Sequence, residues 1–194
     1  MMVNDCLSVL LCGVGGQGTV LAADILAKVV AHEGLDVKVS EIHGMSQRGG
    51  SVVTFVRFGT EVHAPLLSYG DADHIVAFEA TEALRYLPYL APAGKMLVNS
   101  EEIKPLPVLI ESASMPENTL AFLKSRGALI IDALKIASSL ENPKGTNIVL
   151  LGALSIQLPF PESTWDTVIE SRVPPQTIAA NMAAFKAGRT IATC

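Results

Sequence analysis

The chain is poor in several things at once. It has three cysteines, one tryptophan and three tyrosines in 194 residues, and only 17% of its residues are charged. Cys6, Cys12 and Cys194 include no Cys-x-x-Cys pair, so the chain cannot by itself supply the ligands of an iron–sulfur cluster or a structural zinc. His32, His43, His63 and His74 lack ligand spacing, and no metal site is expected. With a net charge of −5 and 5% aromatics, neither a basic footprint nor a base-stacking platform is available, which argues against nucleic acid as a partner. The longest apolar run, residues 148–156, is far short of the roughly 20 residues that span a bilayer. The N-terminus has no basic segment ahead of its short apolar run, unlike a signal peptide. A soluble, cytoplasmic protein without a membrane partner is therefore expected.

What the chain has is apolar residues, 49% of the total, and a high mean hydropathy of +0.41. Such a composition argues against disorder, and the length suits a single domain over residues 1–194. An acidic chain this apolar should hide more surface than one core can hold, so self-association or a partner-bound state is expected.

Residues 6–12 form an apolar run that ends in glycines, as a buried parallel strand does. Residues 19–32 carry apolar side chains at helical spacing. Residues 36–42 alternate like a strand, and residues 50–58 are β-branched and aromatic. The link between these two strands, residues 43–49, is too short for a crossover helix, so the pattern departs there from a plain βαβ repeat. Further strands are predicted at 73–78, 95–99, 108–111 and 128–132, and a short extended piece at 61–66. Helices are predicted at 79–90, 120–125, 133–140, 146–158, 162–171 and 175–188. The fold class expected is α/β: a three-layer α/β/α sandwich with a mainly parallel sheet, a Rossmann-like start and a helical C-terminal part.

The segment Gly13-Val14-Gly15-Gly16-Gln17-Gly18-Thr19 fits Gly-x-Gly-x-x-Gly between a strand and a helix, and Glu41 ends the second strand where a ribose-binding carboxylate would sit. A stand-alone NAD(P)-binding protein is one reading. A nucleoside-triphosphate loop is a poorer one, because Thr19 follows Gly18 directly and the phosphate-binding lysine is missing. Close packing of helix on strand is a third, since glycine has no Cβ. Four glycines in six residues exceed what a turn needs, and bare amides before a helix N-terminus attract anions. The second glycine-bearing stretch, Ser46-Gln47-Arg48-Gly49-Gly50, should reach the same sheet edge, where Arg48 could clamp an anion. Glu79 and Asp132, at strand–helix junctions, read as cofactor-orienting groups or as helix-start carboxylates, and Asn147 as an N-cap. No nucleophile, base and orienting group stand at recognisable spacing.

The stretches GVGGQGTVLAADILA, HGMSQRGGSVVTFVRFG and ADHIVAFEATEALRYLPYL, with residues 147–152, resemble the small subunit of the 2-oxoacid:ferredoxin oxidoreductases, most of all its indolepyruvate branch. The resemblance covers nearly the whole chain. It implies a thiamine-diphosphate-dependent oxidative decarboxylation of an aryl 2-oxoacid, with coenzyme A taking the acyl group and ferredoxin the electrons. It also implies that thiamine diphosphate and the iron–sulfur clusters are held mainly by a large partner subunit, with no cofactor fully bound by this chain alone. A cofactor-contacting role for Gly13, Gly15, Gly16, Gln17, Gly18, Thr19, Glu41, Ser46, Gln47, Arg48, Gly49 and Gly50 accords with that reading, and a scaffolding subunit with an empty glycine loop is its bland counterpart.

Overall fold

In a computed structural model that describes residues 6–44 and 50–193, a six-stranded sheet runs in the order β2-β3-β1-β4-β5-β6. The strands are β1 (Leu7–Val14), β2 (Asp36–His43), β3 (Ser51–Gly59), β4 (Ala72–Ala77), β5 (Leu90–Asn99) and β6 (Leu129–Ile131). β1, β4, β5 and β6 pair in parallel, whereas β3 lies antiparallel to both β1 and β2. Five strands thus share one direction and β3 alone opposes them, so the sheet is mostly parallel. The short 43–49 link signals this reversal: too short to cross back over a face, it turns the chain into an antiparallel neighbour.

Alternation along β1 divides the interior. Val9 and Leu11 enter a core with α1 (Thr19–His32), α5 (Ala133–Ser139), α6 (Thr146–Ser155), α7 (Glu162–Arg172) and α8 (Ile178–Ala192). Leu10 and Cys12 point to the other face, into a smaller core with α2 (Ala80–Tyr86) and α4 (Thr119–Ser125). That is the three-layer sandwich. Helix α6 is buried from Asn147 to Ser155, which explains its apolar sequence on every side. It meets α8 backbone to backbone: a Cβ at Gly188 would lie 1.9 Å from the Val149 carbonyl oxygen, and one at Gly152 would lie 2.1 Å from that of Phe185.

Three local expectations fail. Residues 108–111 are not a strand: α3 (Leu106–Leu109) is a four-residue helix with Pro107 in its first turn, where a missing N–H costs nothing. Residues 61–66 form no regular element. The helix predicted to Leu90 ends at Tyr86, a 3-10 turn at Leu87–Tyr89 accommodates Pro88, and β5 already starts at Leu90. Pro92 and Gly94, read as a helix stop, lie inside β5, where the register against β4 shifts between Ala72 and His74. Gly94 is required there because a Cβ would sit 2.7 Å from the Ala72 carbonyl oxygen.

Candidate functional site

The parallel strands end together beside α1, and the glycine loop lies at that edge. β1 runs further than expected, so that Gly13 and Val14 are still paired, with Val52 and Ser51. Gly13 is a packing glycine: a Cβ would stand 2.8 Å from both Gln17 Oε1 and Phe78 Cβ. Gln17 bridges the loop internally. Its Oε1 accepts from the Val14 N–H at 2.8 Å, and its Nε2 donates to the Phe78 carbonyl at 3.0 Å and to Glu101 Oε2 at 3.1 Å. The Gly15 N–H donates to the Gly50 carbonyl at 2.9 Å, which joins the first glycine loop to the end of the second. Ser46, Gln47, Arg48 and Gly49 lie outside the described residues.

Gly16 and Gly18 adopt left-handed backbone, φ +102° and +79°. Their amides make no hydrogen bond to a described residue. Both line two clefts. One, of about 410 Å³, is also bounded by Gln17, Phe78, Glu101, Leu134, Lys144 and Asn147. The other, of about 730 Å³, is bounded by Gly15, Thr19, Asp24, His43 and Arg172. Thr19 itself is buried at the first position of α1.

The remaining candidates separate. Glu41 lies on β2, which β3 holds apart from β1, and its carboxylate pairs with His43 Nε2 at 2.6 Å. The NAD fingerprint needs β2 beside β1, so this topology removes Glu41 from the place of a ribose-binding carboxylate. Glu79 is the N-cap of α2: Oε2 accepts from the Glu82 N–H at 2.8 Å and Oε1 from the Ile103 N–H at 3.0 Å, and burial pushes its carboxyl above the ordinary range. Asp132 likewise caps α5, accepting from the Lys135 N–H at 3.0 Å. Asn147 is not the N-cap of α6, a position held by Gly145. It is buried one residue inside the helix, and its Nδ2 donates to the Gly18 carbonyl at 3.3 Å. Cys12 is a core thiol, pushed well up by burial and then by Glu82 and Glu79.

Sequence reasoning overlooked Glu101, Asn99 and Lys144. Asn99 is fully buried; its Nδ2 donates to the Phe78 carbonyl at 3.1 Å and to Glu101 Oε2 at 3.4 Å, while Oδ1 accepts from the Ala133 N–H at 3.1 Å. Gln17 and Asn99 therefore converge on the same two acceptors and stitch together the ends of β1, β4, β5 and β6. A usable signal existed only for Lys144, in the Pro-Lys-Gly turn ahead of an apolar helix.

The family profile of pyruvate ferredoxin/flavodoxin oxidoreductase matches residues 8–191. The chain belongs to this family. Indolepyruvate oxidoreductase subunit IorB of Thermococcus kodakarensis is 41% identical over 190 residues, 93% of each chain. The pyruvate/ketoisovalerate oxidoreductases common subunit gamma of Pyrococcus furiosus is 29% identical over 147 residues, 74% of this chain and 73% of that one. The same fold occurs in the gamma subunit of a keto/oxoacid ferredoxin oxidoreductase from Geobacter sulfurreducens, with a TM-score of 0.71 at 22% identity over 96% of this chain and 98% of that one. For a pyruvate ferredoxin/flavodoxin oxidoreductase family member, the features around the glycine loop are thus a pair of clefts and a buried amide network. Among the described residues no three His, Cys, Asp or Glu side chains cluster to hold a metal ion.

Proposed function

We propose that this chain is the small subunit of an indolepyruvate-type 2-oxoacid ferredoxin oxidoreductase, which oxidatively decarboxylates an aryl 2-oxoacid, passes the acyl group to coenzyme A and delivers the electrons to ferredoxin. The observation that carries the reading is the contrast in similarity: 41% identity over nearly the full length of an indolepyruvate oxidoreductase subunit, against 29% over three quarters of a pyruvate/ketoisovalerate one.

The chain's own residues do not fit the redox groups of such an enzyme. Three cysteines cannot ligate a cluster, and no described carboxylate group is arranged for the divalent ion of thiamine diphosphate. Those groups belong on the large subunit. What this chain offers is a loop with open amides at Gly16 and Gly18, tied through Gly15 to the Gly50 carbonyl and suited to a phosphate-bearing group such as that of coenzyme A. It also offers apolar surface for a partner. α3 buries none of its residues, and Leu106, Leu109 and Ile110 are 67%, 63% and 64% exposed.

The test is reconstitution. The chain alone should not reduce ferredoxin or a viologen dye with any 2-oxoacid. Together with the large thiamine- and cluster-bearing subunit it should do so in a coenzyme A-dependent reaction that prefers indolepyruvate and phenylpyruvate to pyruvate and 2-oxoglutarate. Dye reduction by the isolated chain, or a preference for pyruvate, overturns the proposal. Micromolar NAD binding, worth about −8 kcal/mol, would favour the stand-alone nicotinamide reading instead.

A further inference from the structure

The segment between β5 and α4 is a knob with an apolar tip. Its base is fastened to α2: the Ala80 N–H donates to the Glu101 carbonyl at 2.9 Å, and the Ile103 N–H donates to the buried Glu79 carboxylate at 3.0 Å. Beyond that clasp the chain folds on itself rather than on the core. The Pro105 carbonyl accepts from the N–H groups of Val108 and Leu109 at 3.0 and 3.1 Å, and the Pro107 carbonyl from those of Ser112 and Ala113 at 2.9 and 3.1 Å. Glu111 and Asn118 take left-handed backbone, φ +58° and +55°, which a residue with a Cβ adopts only at a cost. Leu106, Leu109 and Ile110 stand at i, i+3 and i+4, so they share one face of α3, and all three are exposed. A knob already folded in this way loses little conformational freedom on docking.

The charges around the tip select its occupant. Over residues 102–117 the exposed charged side chains are Glu102, Lys104, Glu111 and Glu117, three acids against one base. A second copy set knob to knob would bring like charges together around the apolar contact, on a chain whose net charge is already −5. We infer that the knob is the docking element for the large subunit, and that it enters an apolar pocket whose rim carries lysine or arginine. Leu109, with Leu106 and Ile110 beside it on the exposed face, is the anchor, and the glutamates set the orientation and speed of association. The inference rests on the reading of this chain as the small subunit of a larger oxidoreductase, and adds where the partner binds and by what chemistry.

Biolayer interferometry between the full chain and the large thiamine- and cluster-bearing subunit tests it. Leu109→Asp should weaken binding at least about thirtyfold, as loss of a central apolar anchor does. Because α3 buries no residue, the melting temperature of the isolated variant should stay within about 2 °C of wild type, so that lost binding is not lost folding. The triple variant Glu102→Lys, Glu111→Lys and Glu117→Lys should associate about tenfold more slowly at low salt, and only the wild-type chain should slow further as salt rises. Wild-type affinity in Leu109→Asp overturns the docking role, as does a wild-type chain that does not bind the large subunit at all. Association of the wild-type chain that ignores salt overturns the basic rim. Sedimentation velocity of the chain alone addresses the other occupant: a dimer that Leu109→Asp converts to monomer would make the knob a contact between copies and overturn the inference. Assembly through the knob without turnover of any aryl 2-oxoacid sinks the proposed reaction and leaves the docking role standing; full turnover with Leu109→Asp assembling as wild type does the reverse.

Discussion

Asn147 sits over Gly18 so closely that a Cβ at residue 18 would lie 2.6 Å from Asn147 Nδ2, the atom that donates to the Gly18 carbonyl at 3.3 Å. Two helices whose first residues are far apart in the chain, α1 and α6, are joined at their N-terminal ends by this contact. It separates the two left-handed glycines of the loop by function, since a Cβ at Gly16 would meet no described residue within 4 Å.

Gly18→Ala should therefore be the more damaging change. Left-handed backbone at a residue with a Cβ costs about 1–2 kcal/mol at either position, and the collision with Asn147 adds about 1–3 kcal/mol at Gly18 only. Thermal melts should show Gly16→Ala lowered by about 2–8 °C and Gly18→Ala by clearly more, at about 2–4 °C per kcal/mol for a chain of this size. Equal melting temperatures would mean that Asn147 moves aside freely and does not pin the loop.

Gln17→Glu probes the amide network. The substitution removes both Nε2 donations, to the Phe78 carbonyl and to Glu101 Oε2, and sets a carboxylate against each acceptor. Removing hydrogen bonds from partly buried groups costs about 1–3 kcal/mol, and like-charge repulsion adds to it. Gln17→Glu should be less stable than Gln17→Ala at pH 7, with the gap narrowing toward pH 4 as carboxylates protonate. Urea denaturation at the two pH values measures this; a gap that stays constant would show that Gln17 and Glu101 are not coupled.

The α6–α8 contact leaves no room for a methyl group. Gly188→Ala must push apart two backbones whose closest approach is to the Val149 carbonyl, and a loss of about 3 kcal/mol or more is expected. A circular dichroism thermal scan should show a lowered melting temperature with retained helix content below it. A wild-type melt would mean that α8 can slide along α6 without loss.

His74 makes stability depend on pH in one direction. It is buried on β4, its Nδ1 donates to Gln157 Oε1 at 3.1 Å, and burial outweighs the upward pull of Gln157 and Asp73, with Lys95 adding to the downward one, so it titrates below its ordinary 6.5. Folding then favours the neutral ring. The contribution is full above about pH 6.5 and is lost as pH falls from there through the folded-state value, because the unfolded chain takes up the proton first. Denaturant midpoints should fall between pH 7 and 5, and His74→Gln should flatten that slope. An unchanged slope in the variant would assign the pH dependence to other groups.

Much of the layout was written locally. β1, the glycine turn and α1 follow from an apolar run, a cluster of residues without Cβ and a 3.6-residue repeat, all within a few residues of one another. The 43–49 link was visibly too short for a crossover. The errors at residues 79–94 and 108–111 arose where proline in a 3-10 turn, a helix first turn or a bulged strand reads alike without knowledge of its neighbours. Glu41 and Asn147 were misplaced for a different reason: each was judged from adjacent residues, while its role depends on a partner strand or helix. Composition and local pattern alone settled that the chain is an apolar α/β protein with an open-amide loop and no cysteine set for a cluster. Only the tertiary structure decided that β3 displaces β2 from β1, and that strand order brings Asn99 and Glu101 from the end of β5 to Gln17. The physical reason is that periodicity and turn chemistry act over a few residues, whereas a hydrogen bond spanning 84 positions, from Gln17 to Glu101, exists only once the sheet has chosen its order.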